Sequence, residues 1–145
     1  MKFLFAIEKF LVRWFGISLI SFIVCRQAGV KPVSTFLLTT VGRKSGRQVA
    51  TPIFYFREGD AFYVIGSKGG APEHPLWFRN LEANPEAWVT FPSFKIAVRA
   101  RVAEGGERTR LWGVAAKLYP PYNDYQAKAG NREIPVVVLD RRAAA

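Results

Sequence analysis

The run Val33–Ser67, VSTFLLTTVGRKSGRQVATPIFYFREGDAFYVIGS, sets the fold. Val33–Val41 is rich in β-branched residues and uncharged, which is the composition of a buried strand. Gly42-Arg43-Lys44-Ser45-Gly46 is a turn, and Val49–Arg57 resumes as a strand, so the two form a hairpin. Pro52 withholds a ladder donor, which requires an edge position or a bulge. Glu58-Gly59-Asp60 then turns the chain into a third strand, Ala61–Ser67. A parallel connection needs a crossover of about a dozen residues or more, and these strands are too close for one.

Beyond Ser67 the pattern continues. Ser67-Lys68-Gly69-Gly70 ends a strand with a cation and two permissive glycines. Pro75–Ala83 reads as a short helix, closed by Asn84-Pro85. Ala87–Phe91 and Phe94–Ala103 are strands. In the latter, Phe94, Ile96, Val98, Ala100 and Val102 alternate with Lys95, Ala97, Arg99 and Arg101, the period of a half-buried strand. A helix near Glu107–Leu118, a Pro-started turn and short helix over Tyr119–Ala129, and a last strand at Ile134–Asp140 follow. Arg141–Ala145 reads as a frayed tail. The expectation is a mainly β, α+β domain: an antiparallel, partly open barrel of six strands with peripheral helices.

On the other side, Met1 to about Arg26 reads as one amphipathic helix. Lys2, Lys9 and Arg13 fall on one line, and Phe3, Leu4, Phe5, Ile7, Phe10, Leu11, Trp14 and Phe15 cover much of the rest. Trp14–Cys25 is uncharged but shorter than the roughly 20 residues a membrane span needs. Val24–Gly29 is a poor signal-peptidase site. Two readings stand. The helix lies in a membrane interface with its basic side toward the headgroups, or it packs over the domain's own core or active-site mouth. The division is residues 1–28 as the N-terminal helix and 29–145 as the barrel domain.

Composition narrows the function. The chain has 145 residues, half of them hydrophobic and 22% charged, which suits one folded domain and excludes disorder. A lone cysteine, Cys25, and a lone histidine, His74, exclude a disulfide framework and a His/Cys zinc site. His74, in a Pro-Glu-His-Pro turn without a G-x-S-x-G elbow, is expected to be a solvated loop residue rather than a catalytic base. The net charge is +10, and residues 1–50 hold eight cations against the single acid Glu8. That bias favours an anionic partner: nucleic acid, an anionic lipid surface or a multiply charged small molecule.

Two basic Gly-rich turns are the candidate anion site. Arg43, Lys44 and Ser45 occupy the first, with Arg47 beside it; Lys68, Gly69 and Gly70 occupy the second. Glycine-freed amides beside cations suit phosphate or carboxylate groups. The first turn joins two strands and is therefore not a P-loop, which needs a following helix. The competing reading is an exposed hairpin whose charges keep an edge soluble. Downstream, Tyr119, Tyr122 and Tyr125 recur every third residue, which brings their hydroxyls to one side of a helical turn. They can wall a flat ligand and donate a proton, with Trp77 stacking on the same ligand. Ordinary core and rim aromatics are the alternative.

Three runs in order, LLTTVGRKSGRQVATPIFYF, SKGGAPEHPLWFRNLEANP and LYPPYNDYQ with the late IPVVVLD, resemble the deazaflavin-dependent nitroreductase family. These are coenzyme F420-dependent quinone reductases best represented in mycobacteria and related actinobacteria. The resemblance covers about Phe36 to Asp140, and the basic N-terminal helix is similar to that of the membrane-associated branch. It implies a split β-barrel related to flavin-binding oxidases, with reduced F420 passing hydride to a quinone-like or nitroaromatic acceptor; FMN is the second candidate cofactor. By position, Arg43, Lys44, Ser45, Lys68, Gly69 and Gly70 would hold the coenzyme. Ser67, Trp77, Tyr119, Tyr122 and Tyr125 would shape the acceptor pocket, with Ser67 or a tyrosine hydroxyl meeting the developing oxyanion. This chain has Val49 where the family usually has an arginine, and Arg47 is the candidate replacement. Such an enzyme would sit in the cytoplasm, on the inner face of the plasma membrane.

Two other functions are compatible with the residues. One is a non-catalytic split barrel that binds a cofactor or lipid at the membrane surface. The other, a nucleic-acid binder, rests on basicity alone. It is not expected, because the excess charge sits on the N-terminal helix and one hairpin rather than on a face with interleaved aromatics.

Overall fold

The computed structural model describes residues 2–143. Its elements run α1 (Lys2–Phe15), α2 (Leu19–Gln27), β1 (Thr35–Val41), β2 (Gln48–Phe54), β3 (Phe56–Glu58), β4 (Ala61–Ile65), α3 (Leu76–Ala83), β5 (Glu86–Thr90), β6 (Lys95–Val102), α4 (Gly105–Leu118), α5 (Pro121–Ala129) and β7 (Val136–Arg141). The strands form one antiparallel sheet in the order β2-β1-β5-β6-β7-β4-β3.

That order forces curvature. β2 and β3 are opposite edges of the sheet, yet only Tyr55 separates them in sequence. The sheet therefore curls until its edges approach, giving a half-barrel. Here the expectation of six strands is corrected to seven. The predicted strand Val49–Arg57 breaks at Tyr55, because Phe54 still pairs with Thr35 while Phe56 pairs with Tyr63. Tyr55 donates its backbone N–H to Ser34 O at 3.0 Å, and its ring stacks on Phe36 at 4.4 Å. Pro52 lies on the edge strand β2, where its missing donor costs nothing. Arg141 is not tail but the end of β7, opposite Val98, and its Nε donates to Asp60 O at 2.8 Å. Ala144 and Ala145 of the predicted tail, and Met1 of the predicted helix, lie outside the described residues.

The single N-terminal helix is also corrected, to two. Gly16 adopts φ +65 between them, and Ser18 caps α2 by accepting from Ser21 N at 2.9 Å. Glu8, 2% exposed, reaches back from α1 to accept from Ser18 Oγ and from Leu19 N, the latter at 3.1 Å. A carboxylate at a helix N-terminus offsets its burial against the unpaired N–H groups there. The pair is built into the barrel rather than appended to it. Ser21 Oγ donates to Val33 O at 3.1 Å, and Cys25 is fully buried among Tyr63, Leu111 and Ile134. α1 crosses β1 and β2 on the face opposite Phe36 and Leu38, over the buried Leu37 and Thr39.

Candidate active site

The Ser67–Gly70 turn is built by its glycines and held by one arginine. Lys68, Gly69 and Gly70 take positive φ values of 46, 62 and 82 in succession. Gly70 is obligatory on a second count: a Cβ there would meet Tyr125 O at 2.7 Å, so the turn lies hard against α5. Gly69 faces open space, with no heavy atom within 4 Å of where its Cβ would stand. Arg132 reaches across to donate to Ala71 O at 2.8 Å, Gly66 O at 3.0 Å and Ser67 O at 2.7 Å. It also meets His74 Nδ1 at 3.1 Å. His74 is thus half-buried, not solvated as expected, and burial followed by the Arg132 charge holds its pKa below the ordinary value. Lys68 Nζ pairs with Glu73 at 3.0 Å, both exposed.

The tyrosines face this turn. Tyr119 ends α4, and Tyr122 and Tyr125 lie on α5, whose first turn begins with Pro121. Their ring centroids are 4.9–6.3 Å apart, and Phe54 extends the wall at 5.2 Å from Tyr119. The Tyr119 and Tyr125 hydroxyls are 3.1 Å apart. Burial first, and the Tyr125 hydroxyl second, raise the Tyr119 pKa well above that of a free phenol, and burial does the same to Tyr122. Both phenols stay protonated through the neutral range, as hydrogen-bond donors rather than bases.

Between turn and tyrosines lies a cleft of about 530 Å³, lined by Ser67, Lys68, Gly69, Tyr119, Tyr122 and Tyr125. Thr35, Pro52 and Phe54 contribute from the hairpin, and Phe5, Glu8, Ser18 and Ile20 from the N-terminal helices. The volume falls in the range of about 300–1,000 Å³ typical of small-molecule sites. Apolar walls carrying hydroxyl donors, one cation and one carboxylate suit a flat molecule with carbonyl oxygens.

Other predicted residues lie elsewhere. Gly70 is buried behind the turn rather than lining the cleft. Trp77 is 8% exposed, packed in the core with Phe78 and Leu81 behind Gly66, and does not line the cleft. Arg43, Lys44 and Arg47 are exposed at the hairpin tip, about 16 Å along β2 from Pro52 at 3.3 Å per residue. Ser45 Oγ accepts from Arg47 N at 3.2 Å, closing the tip on itself. Asn80 of α3 anchors that tip, accepting from Arg43 N at 3.1 Å and donating to Thr40 Oγ1 at 3.0 Å. Val49 faces the Thr40 side of β2 and is 42% exposed.

Sequence reasoning missed Glu8, Asn80 and Arg132 as parts of this region. Glu8 had a signal, as the only acid among the first 50 residues. Asn80 and Arg132 had none, because their partners are 37–40 and 58–66 residues distant.

A curled antiparallel half-barrel with a cleft at its open edge is the split-barrel flavin-binding architecture. An FAD-binding protein of Mesorhizobium loti shares it at 12% identity and a TM-score of 0.54, covering 85% of this chain and 89% of that one. A solved F420-H2 dependent reductase is far nearer, with 38% identity and a TM-score of 0.67 over 73% of this chain and 93% of the other. The F420H(2)-dependent quinone reductase family profile matches residues 23–141. An F420H(2)-dependent quinone reductase of Mycobacterium tuberculosis is 36% identical over 120 residues, 81% of this chain and 78% of its relative. The chain belongs to the F420H(2)-dependent quinone reductase family. It is an enzyme of hydride transfer from reduced coenzyme F420 to a quinone, rather than a non-catalytic binding barrel.

The residues fit that coenzyme. Gly69 leaves bare backbone facing the cleft, Lys68 supplies a cation beside it, and the hairpin tip places further cations within reach of a long anionic tail.

Proposed function

We propose that the cleft between the Ser67–Gly70 turn and the tyrosine wall is the hydride-transfer site. The observation that carries this is the convergence of Ser67, Lys68 and Gly69 with Tyr119, Tyr122 and Tyr125 on one cavity, from segments about fifty residues apart. Lys68 and Gly69 would hold the polar side of the coenzyme. Arg43, Lys44 and Arg47 would attract its phosphate and glutamyl tail from the hairpin tip, with Arg47 supplying the charge that Val49 lacks. Ser45 and Gly70 would shape their turns rather than touch the ligand, and Trp77 would brace Gly66 from behind.

The bound coenzyme supplies the hydride. What the chain must do is position the acceptor and stabilise the charge that develops on a quinone oxygen. Ser67 Oγ and the Tyr125 hydroxyl are the donors available for that oxygen. Tyr119 fixes the Tyr125 hydroxyl, and Tyr122 with Phe54 forms the apolar wall that limits water. A nitroaromatic offers similarly placed oxygens and is a second acceptor class for the same donors.

The N-terminal helices support a membrane-surface location, on the inner face of the plasma membrane. Phe3, Ile7, Phe10 and Trp14 are 75%, 37%, 55% and 58% exposed along one stripe of α1. At 100° per residue that stripe lies about 150° around the helix from the buried Glu8 and Val12. Apolar side chains pointing away from the protein, flanked by Lys2, Lys9 and Arg13, match a helix lying in a lipid interface. No helix among the described residues is long and apolar enough to cross a membrane.

The deciding experiment is single-turnover decay of reduced F420 absorbance with excess quinone, in wild type, Ser67→Ala and Tyr125→Phe. Slow decay with unchanged coenzyme affinity in either variant supports the assignment. Wild-type rates in both would move the oxyanion donors elsewhere.

A further inference from the structure

A second cavity, of about 500 Å³, opens on the other side of α1 from the active-site cleft. Both lie against the same face of the β1–β2 hairpin. Thr35 and Phe54 belong to the first, and Leu37, Thr39, Gln48 and Ala50 to the second. Nothing in the hydride-transfer reading uses this second cavity.

Its chemistry is specific. Arg13 from the end of α1 and Lys95 from the start of β6 both line it, and no acidic residue does. Neither cation has an ion-pair partner among the described residues; Arg13 lies over Trp14 at 5.9 Å and Lys95 over Trp88 at 5.5 Å. Thr39, Gln48 and Thr90 add neutral hydrogen-bonding groups. Such a set, open to solvent and free of carboxylates, suits a phosphoryl group.

Its rim is apolar and continuous with the exposed stripe of α1. Trp14 lines the cavity and ends the Phe3–Ile7–Phe10 stripe. The α1–α2 elbow lies against the β5–β6 turn, where a Cβ on Gly16 would meet Pro92 Cγ at 3.1 Å. Trp14 and Phe94, 58% and 54% exposed, line the opening together with Phe91, and the exposed Phe15 and Ile17 belong to the same elbow. An aromatic belt beside paired cations is the arrangement found where a protein sits at headgroup depth.

We propose that this cavity binds the phosphoryl headgroup of an anionic phospholipid between Arg13 and Lys95, with the rim aromatics in the acyl region. The proposal rests on the membrane-surface reading above and adds a discrete site to it. The site would fix the orientation of the bound enzyme. Phe5 and Ile20, which line the active-site cleft and are 49% and 46% exposed, would then open toward the bilayer.

The test uses the full chain and vesicles of phosphatidylcholine with and without phosphatidylglycerol. The double variant Arg13→Gln/Lys95→Gln is compared with Lys2→Gln/Lys9→Gln, which removes the same charge from α1 outside the cavity. The pocket pair is expected to weaken binding to phosphatidylglycerol vesicles at least about tenfold more than the control pair, since a held phosphoryl group adds charge-assisted hydrogen bonds to diffuse attraction. Glycerol phosphate at millimolar concentration should compete with vesicles for wild type and not for the pocket variant. Equal losses in the two double variants would overturn the site and leave the interfacial helix standing. Failure of wild type to bind either vesicle would overturn the membrane reading itself. Binding of glycerol phosphate that vesicles do not displace would assign the cavity to a free phosphate ligand and overturn the lipid assignment. Turnover with a soluble quinone should be unchanged in the pocket variant, which verifies its fold.

Discussion

The hydroxyls of Tyr119 and Tyr125 lie 3.1 Å apart in the wall of the cleft, Tyr119 buried and Tyr125 half-buried. The shared bond can carry only one proton. Either hydroxyl can supply it, and in the arrangement where Tyr119 donates, the Tyr125 proton is left for a ligand. Tyr125→Phe should therefore slow hydride transfer by about 100- to 1,000-fold with little change in coenzyme affinity. Tyr119→Phe should act more weakly on rate and lower stability by about 1 kcal/mol. Single-turnover kinetics and urea denaturation of both variants check the order, and a silent Tyr125→Phe removes it as a donor.

Lys68 and Glu73 form an exposed pair, and the Lys68 hydrogen bond is the main cause of the lowered Glu73 pKa. An anionic coenzyme would compete with Glu73 for that ammonium. Glu73→Gln should tighten F420 binding and Lys68→Ala should weaken it, both effects shrinking as salt rises. Fluorescence titration at two ionic strengths measures this; opposite signs would place Lys68 outside the coenzyme site.

Gly69 and Gly70 make a matched pair of tests. Gly70→Ala places a methyl against Tyr125 O and Cα at 2.7 and 3.0 Å, so α5 must shift, and about 1–3 kcal/mol of stability should be lost on top of the left-handed backbone cost at φ +82. Gly69→Ala meets no atom within 4 Å and bears only the left-handed backbone cost of about 1–2 kcal/mol. Thermal melts should rank Gly70→Ala lower, whereas Gly69→Ala should show the larger loss of coenzyme affinity relative to its stability change.

Arg132 joins Gly66, Ser67 and Ala71 through three carbonyls. Arg132→Lys cannot span them with one ammonium. A loss of about 3 kcal/mol or more is expected, given roughly 1.5–3 kcal/mol for each hydrogen bond to a charged group. Hydrogen exchange of the Ser67–Ala71 amides should accelerate before that of β4. Unchanged exchange there would show that the glycines alone hold the turn.

The lowered His74 pKa sets a pH dependence whose direction follows from linkage. The unfolded chain takes up the proton more readily than the folded one. Stability from this group is complete above the ordinary histidine pKa of about 6.5 and is lost as pH falls through the depressed folded value. Protonation would also set two cations against each other at Arg132. Melting temperature should fall from pH 7 to 5 more steeply in wild type than in His74→Gln; parallel curves would show that His74 does not couple to the turn.

Local chemistry determined much of this protein in the sequence alone. The short turns at Gly42–Gly46 and Glu58–Asp60 permit only antiparallel pairing, so a partly open barrel was legible. Pro52 required an edge, and β2 is one. Tyr119, Tyr122 and Tyr125 were legible as one wall because a three-residue spacing on a helical turn fixes their side. Tertiary structure decided what depends on distant partners. The break at Tyr55 arises because the chain passes from one sheet edge to the other there, which no propensity encodes. Trp77 went to the core because the apolar face of α3 points inward beneath Gly66. Gly16 and the Glu8 cap divided the N-terminal helix, since a carboxylate on α1 can stabilise a second helix start only once the chain has folded back. Arg132 became the brace of the Ser67–Gly70 turn for the same reason: these carbonyl partners are 61–66 residues distant, and only the folded half-barrel brings them within 3.0 Å.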